Sequence, residues 1–320
     1  MAKYRTRLPQ LSDKLFLTDA GMETFLIFHE GVELPFFASF DLMKNEEGIA
    51  HVRRYYERFI ALARHRGLGF VFEAPTWRAN SEWAAKLGYD AKALAQINRR
   101  TIALMAQMRD ELETAETPIV ISGNIGPRGD GYAPDRMMSA DEAQRYHAEQ
   151  INVFAGTEAD LVSAFTLNYV NEAIGVARAA KAAGMPVVIS FTVETDGRLP
   201  TGQTLQDAIT ETDRITNFAP AYYMLNCAHP THFADILAKD APWVRRLRGL
   251  RANASTRSHA ELDAAPDLDA GDPVALGRQY RDLRRSMPQL TILGGCCGTD
   301  HRHVEQICFA CTQVDQRKVA

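Results

Sequence analysis

No stretch of the 320-residue chain approaches the roughly 18 uncharged apolar residues that a membrane-crossing helix needs. Residues 1–11 carry Lys3, Arg5 and Arg7 with no apolar run behind them, which is not the pattern of a secretory signal. The expectation is a soluble, cytoplasmic protein without a membrane partner. Basic clusters are scarce as well. The densest, Arg245-Arg246-Leu247-Arg248 with Arg251, is brief, and the net charge is -4, so no nucleic-acid partner is expected. There is no GxGxxG turn, no phosphate-binding P-loop, no internal repeat and no low-complexity segment. Cysteine is sparse too. Five in a long chain, an odd number, argue against a disulfide framework.

What remains is a globular composition, 46% hydrophobic and 24% charged, enough for a sizeable core. Short apolar runs at 15–19, 69–73, 118–122, 160–165, 186–192, 221–226, 247–251 and 289–293 read as buried strands, several flanked by glycine or proline. Helical segments alternate with them. Ile49, Val52, Tyr56, Phe59, Ile60 and Ala63 recur at helical spacing before Gly67; Ser139 and Glu142 form a capping-box pattern; 172–183 is alanine-rich and stops at Gly184; another helix is expected over 204–218. Eight strands, each followed by a helix, predict a single (β/α)8 barrel, with an open doubly wound sheet as the alternative. One domain is expected over 1–320, with 1–14 as an N-terminal extension and 258–273, rich in Asp, Ala and Pro, as a long surface loop. The sequence carries no signal for oligomeric state.

Chemistry in such barrels sits at the C-terminal ends of the strands. Asp19, Glu73, Asn124, Asn226-Cys227 and Cys296-Cys297 all fall at or just past predicted strand ends. Successive side chains on a strand point oppositely, but the glycines around Cys296 and Cys297 permit a turn that aims both sulfurs at one point. Three thiolates from two strand ends would make a soft site with its fourth position open, the catalytic rather than the structural type of zinc site. Such a site can hold an incoming thiol deprotonated near neutral pH, ready for alkyl transfer.

Four stretches then reveal a likeness: Asp19-Ala20-Gly21-Met22-Glu23-Thr24, Gly123-Asn124-Ile125-Gly126-Pro127, Asn226-Cys227, and Gly294-Gly295-Cys296-Cys297-Gly298-Thr299. Ser190-Phe191-Thr192, with Asp196-Gly197-Arg198-Leu199 and Gly202, adds a fifth. In this order, over about 15–307, they resemble the homocysteine S-methyltransferase family. The resemblance implies a (β/α)8 barrel, a zinc ion on Cys227, Cys296 and Cys297, and Asp19 helping to hold the amino group of homocysteine. Backbone amides around Ala20 and Gly21 are candidates for the substrate carboxylate. The expected reaction moves a methyl group from a small onium donor (S-methylmethionine, S-adenosylmethionine or a betaine-like compound) to homocysteine or a similar thiol, giving methionine. Within these 320 residues no additional domain is expected to carry folate or cobalamin, which disfavours a methylfolate system within this chain.

The chain departs from the family pattern in places. Ala20, Glu23 and Phe25 differ from the usual first motif, and Phe165-Thr166 stands where the family carries Glu-Thr after strand four. That glutamate normally helps bind the substrate ammonium. Either Glu73 or Glu23 replaces it, or the substrate is not homocysteine. Three rivals stay open: a closed site built from Cys296, Cys297, Cys308 and Cys311, a zinc hydrolase, and a zinc- or thiol-binding barrel without methyltransferase activity. Cys308 and Cys311, one turn apart, read better as core. His229 and His232 are potential ligands that read better as solvated loop residues. His301 and His303 are expected in the first turn of the last helix. Trp77, Tyr222 and Tyr223 are aromatic candidates for a methyl-donor pocket.

Overall fold

A computed structural model of the chain describes residues 1–134, 136–237 and 241–316. The strands are β1 Phe16–Leu17, β2 Gly69–Glu73, β3 Ile119–Ile125, β4 Leu161–Leu167, β5 Val187–Phe191, β6 Pro220–Asn226, β7 Leu247–Ala252 and β8 Ile292–Gly295. All neighbours are parallel, and β8 returns to pair with β1, closing the barrel. The helices are α1 Met22–Glu30, α2 Glu46–His65, α3 Ser81–Lys86, α4 Ala91–Leu112, α5 Ala140–Ala155, α6 Val170–Ala182, α7 Leu205–Thr216, α8 Ala234–Leu237, α9 His259–Asp263, α10 Pro273–Ser286 and α11 His301–Gln316. The (β/α)8 architecture read from the sequence is therefore the architecture found. No helix among the described residues is long and apolar enough to cross a membrane.

The local signals explain where the helices begin and end. Ser139 and Glu142 bond reciprocally across the first turn of α5, as the capping-box spacing predicts. Asn45, Asn80, Asp90 and Thr204 each accept a backbone N–H at the start of α2, α3, α4 and α7. The stripe Val52, Tyr56, Phe59, Ile60 and Ala63 faces the core from α2, and Gly67 follows in the left-handed conformation that ends such a turn cheaply. Cys308 and Cys311 are buried in the α11 packing surface.

Inside the barrel, the two-residue period of the strands sorts side chains into layers. Phe16, Val71, Val120, Leu161, Val188 and Ile292 form an apolar lower layer, closed below by Leu8 from the N-terminal segment. Strands β2 to β5 turn polar two residues further on, at Glu73, Ser122, Ser163 and Ser190, and Asn226 of β6 and Arg251 of β7 join them, all buried. Ser122 and Ser163 share a 2.7 Å hydrogen bond, and the Ser163 hydroxyl donates to Glu73. Ser190 Oγ donates to Asn226 Oδ1 at 2.6 Å. Glu73, Asn226 and Arg251 of this layer line a cavity of about 620 Å³ at the C-terminal mouth.

The stretch 258–273 is not featureless. Ser258 and Glu261 form a second capping box, so α9 stands inside it. Leu262, Asp263, Ala265 and residues 267–269 line one wall of the cavity.

A three-sulfur site at the barrel mouth

Cys227 follows β6, and Cys296 and Cys297 follow β8. Their sulfurs all lie within 4.8 Å of one another, the only group of metal-ligating side chains this compact among the described residues. Neither β8 cysteine is in the strand, which ends at Gly295. The chain leaves the sheet in a tight turn: Thr299 N–H donates to the Cys296 carbonyl at 3.1 Å, and Gly298 sits at φ +77°. Strand alternation no longer applies there, so adjacent cysteines can face one point. Gly294 and Gly295 serve a different end from the turn-forming freedom expected of them. A Cβ on Gly294 would lie 1.9 Å from Thr18 Oγ1, and one on Gly295 2.1 Å from Thr299 Oγ1. Gly294 lets β8 press against the end of β1, where Gly295 N–H donates to the Asp19 carbonyl at 3.0 Å, and Gly295 leaves room for Thr299 to fold back over the turn.

Cys227 has φ +55°, and Thr166 beside it φ +62°. For residues with a Cβ, each such conformation costs on the order of 1–3 kcal/mol, a strain typical of functional sites. The Asn226 side chain holds Thr166: its Oδ1 accepts Thr166 N–H at 2.9 Å and its Nδ2 donates to Thr166 Oγ1 at 2.8 Å. The β4 register shifts between Ala164 and Leu167 to make room. On the far side of Cys227, Asn253 Nδ2 and His259 Nε2 both bond its carbonyl oxygen.

The three thiols titrate as one group. Cys296 and Cys297 donate to the Cys227 sulfur and draw its pKa well below the ordinary thiol value, and those same hydrogen bonds, with burial and the charge on Cys227 behind them, push theirs up. The protons are thus shared around one anionic point, the place a soft cation would take. Tetrahedral zinc holds sulfurs at about 2.3 Å, hence roughly 3.8 Å from one another. The donor set and its spacing fit that ion.

Asp19 lies beside this cluster but is already engaged. Arg251 Nη1 donates to Asp19 Oδ1 at 2.6 Å, and the Tyr55 hydroxyl to Oδ2 at 3.2 Å. The Arg251 guanidinium lies over the Phe165 ring at 5.3 Å. An aromatic face under an arginine therefore occupies the position where the family pattern has a glutamate. Ala20 and Gly21 line the cavity, yet their amides are used internally: Ala20 N–H points to the Tyr55 hydroxyl at 3.2 Å, and Gly21 N–H donates to the Thr299 carbonyl at 3.3 Å. Glu73 and Glu23 both line the cavity. Burial raises the pKa of Glu73 to about 7, opposed by Arg251 and by its serine donors. Burial also raises that of Glu23, which accepts from Ser39 Oγ at 2.7 Å.

Of the aromatic candidates, Trp77 alone reaches the cavity. Tyr222 belongs to the apolar lower layer, and Tyr223 points outward to Asp213 at 2.8 Å, because neighbours on one strand face opposite sides. His229 bonds Thr231, His232 bonds the Thr256 carbonyl, and neither joins the sulfurs. His301 and His303 stand in the first turn of α11, as expected. Sequence reasoning missed Arg251, Tyr132, His259 and Arg78. Tyr132 stacks on His259 with ring centres 4.0 Å apart, and its hydroxyl faces the Cys227 sulfur. The available signal for Arg251 was its place near the end of β7, at the rim where the other strand-end candidates converge. The Ser258–Glu261 capping box was the signal for the segment that carries His259.

The fold and the site together define a barrel enzyme that presents a cysteine-only metal-type centre to a deep, partly aromatic cavity. The sequence profile described as homocysteine S-methyltransferase matches residues 16–311. The chain belongs to the homocysteine S-methyltransferase family and is a methyltransferase. Its fold is similar to that of the Escherichia coli homocysteine methyltransferase MmuM. The oxidized form of that enzyme superposes with a TM-score of 0.72 at 18% identity, covering 95% of this chain and 99% of the other. The metallated form gives 0.69 at 17%, covering 96% and 99%.

Proposed function

We propose that the protein transfers a methyl group from a small onium donor (S-methylmethionine, S-adenosylmethionine or a betaine-like compound) to the thiol of homocysteine or a close analogue, giving methionine or its analogue. The observation that carries this reading is the convergence of Cys227, Cys296 and Cys297, from two strand ends, on one cavity. These residues would hold zinc, which when bound supplies the charge that keeps an acceptor thiol deprotonated near neutral pH.

The rest of the work falls to the chain's own residues. The Asp19–Arg251 pair is internally neutral, so Glu23 and Glu73 are the carboxyl groups left over for the substrate ammonium, whose charge would favour their ionised forms. Trp77, Tyr132 and Phe165 exclude water and offer ring faces to an onium cation. As the methyl carbon bonds to the acceptor sulfur, the donor keeps the electron pair of the broken bond and loses its positive charge. A water-poor wall favours that loss. The acceptor's proton leaves to solvent before transfer, so no side-chain base is required.

The test is a methyl-transfer assay with homocysteine and each donor, on zinc-loaded protein and on protein treated with chelator. Methionine formed by the loaded protein alone is the expected result. Zinc bound with no product from any donor would refute the reaction. One observation favours a second reading, a different thiol substrate or a barrel that binds without methylating: Phe165 replaces the ammonium-binding glutamate, and Asp19 is paired with Arg251. Replacing homocysteine by other small thiols in the same assay separates the two.

A further inference from the structure

Two arginines line the cavity, and they differ in kind. Arg251 is committed to Asp19. Arg78 has no carboxylate within ion-pairing distance among the described residues, and its Nε is buried without a hydrogen-bond partner. Its guanidinium is instead held by rings, 3.7 Å from the centre of Trp83 and 4.7 Å from that of Trp77. Both rings are fixed. Trp77 Nε1 donates to the Phe165 carbonyl at 3.2 Å, and Trp83 sits in the first turn of α3, where Asn80 accepts its backbone N–H at 3.2 Å. The Tyr146 hydroxyl in turn fixes Asn80 at 2.8 Å.

A guanidinium stacked on rings keeps its N–H donors in its own plane, and with Nε sealed in the interior the two Nη groups are the ones left to receive a planar carboxylate. Burial draws the Arg78 pKa below its ordinary value, as happens to a cation short of solvation, and Asp130 and Glu23 oppose this only from a distance. Meanwhile the amides of Ala20 and Gly21, the expected carboxylate site, are spent inside the protein. Arg78, Tyr132 and the three cysteines line the same cavity, and Tyr132 is within electrostatic reach of both Arg78 and the sulfurs.

We infer that Arg78, clamped between Trp77 and Trp83, is the carboxylate-recognition residue of this cavity, and that one of the two small molecules it takes is an acid whose carboxylate lies at the end remote from the reacting atom. The inference rests on reading the cavity as a substrate site. Homocysteine, S-methylmethionine and betaine all carry such a group, so the shared chemistry is the carboxylate and the experiment assigns its source.

Two matched pairs of probes are bound to the zinc-loaded full chain: L-homocysteine against 3-aminopropane-1-thiol, and S-methylmethionine against (3-aminopropyl)dimethylsulfonium. Each second member lacks only the carboxylate. Calorimetry gives the affinities, and quenching of Trp77 and Trp83 fluorescence reports occupancy beside Arg78. In Arg78→Met, the acid of one pair is expected to lose about 10- to 100-fold more affinity than its decarboxylated partner, with Arg78→Lys recovering part of the difference. The pair that shows the gap identifies acceptor or donor as the acid. Equal losses within both pairs would mean that Arg78 only props the tryptophans, and would overturn the inference. So would a wild-type protein that does not prefer the acids. Circular dichroism and zinc content of both variants report folding. Binding requires no turnover, so carboxylate-selective binding without methyl transfer would sink the reaction alone, and methyl transfer without that selectivity would sink Arg78 alone.

Discussion

Glu73→Gln tests the electrostatics of the barrel floor most directly. Glu73 ends β2 and is 3% exposed. Around it stand the Ser163 and Ser122 hydroxyls, the Arg251 guanidinium, the Asp19 carboxylate and the Tyr222 phenol below. Burial dominates and raises its pKa from 4.5 to about 7. A raised carboxyl pKa means that the folded protein binds the proton more tightly than the unfolded chain. The resulting penalty is absent below pH 4.5, grows as pH rises to about 7, and is constant above it. A shift of about 2.5 units corresponds to roughly 3 kcal/mol at most. Glutamine keeps an oxygen for the Ser163 hydroxyl but removes an anion that Arg251 feels, so a net gain of about 2 kcal/mol above pH 7 is expected. Unfolding entropy near 2.1 cal/mol/K per residue turns this into about 3 °C for a chain of this length. Calorimetric Tm values of ligand-free wild type and Glu73→Gln are compared at pH 5.5 and pH 8.5 and at fixed zinc. The variant is expected to be the more stable at pH 8.5, with the difference shrinking or reversing at pH 5.5. A difference independent of pH, or a larger advantage at the lower pH, would refute the reasoning.

Other substitutions follow from the same structure. Cys227→Ser, Cys296→Ser and Cys297→Ser should each lower bound zinc by more than about tenfold, whereas Cys308→Ala, a change in the α11 core, should leave it intact; metal analysis of purified variants decides this. Retention in Cys227→Ser with loss in Cys308→Ala would instead favour a closed site at the C-terminal end. Asp19→Asn leaves Arg251 charged in the interior with its partner removed, and should cost about 3–5 kcal/mol in denaturant unfolding. Gly294→Ala must push β8 away from Thr18 and the Asp19 carbonyl, with an expected cost of about 1–3 kcal/mol and weaker zinc retention; a variant of wild-type stability would show that the close approach is dispensable.

The amino-acid sequence by itself determined the parts that depend on near neighbours. All eight strands lie where the apolar runs stand, α5 starts at its capping box, and α2 buries its predicted stripe. These are statements about two-residue and 3.6-residue periods and about hydrogen bonds spanning three or four positions, so the information is local. The gathering of the cysteines was legible for a related reason. A barrel brings every strand end to one rim, so residues just beyond β6 and β8 are neighbours whatever their separation in sequence.

Only the closed tertiary structure decided what each side chain there is bonded to. Arg251 meets Asp19 across 232 positions because β7, β8 and β1 are adjacent after closure. That contact neutralises the carboxylate expected to hold the substrate. The same closure made Gly294 a point of close approach, sent Tyr222 and Tyr223 to opposite sides of the sheet, and left Arg78 between two rings without an anion. Pairings of this kind depend on which face of each strand turns inward and on how far a long side chain reaches, and neither is written in the spacing of residues along one segment.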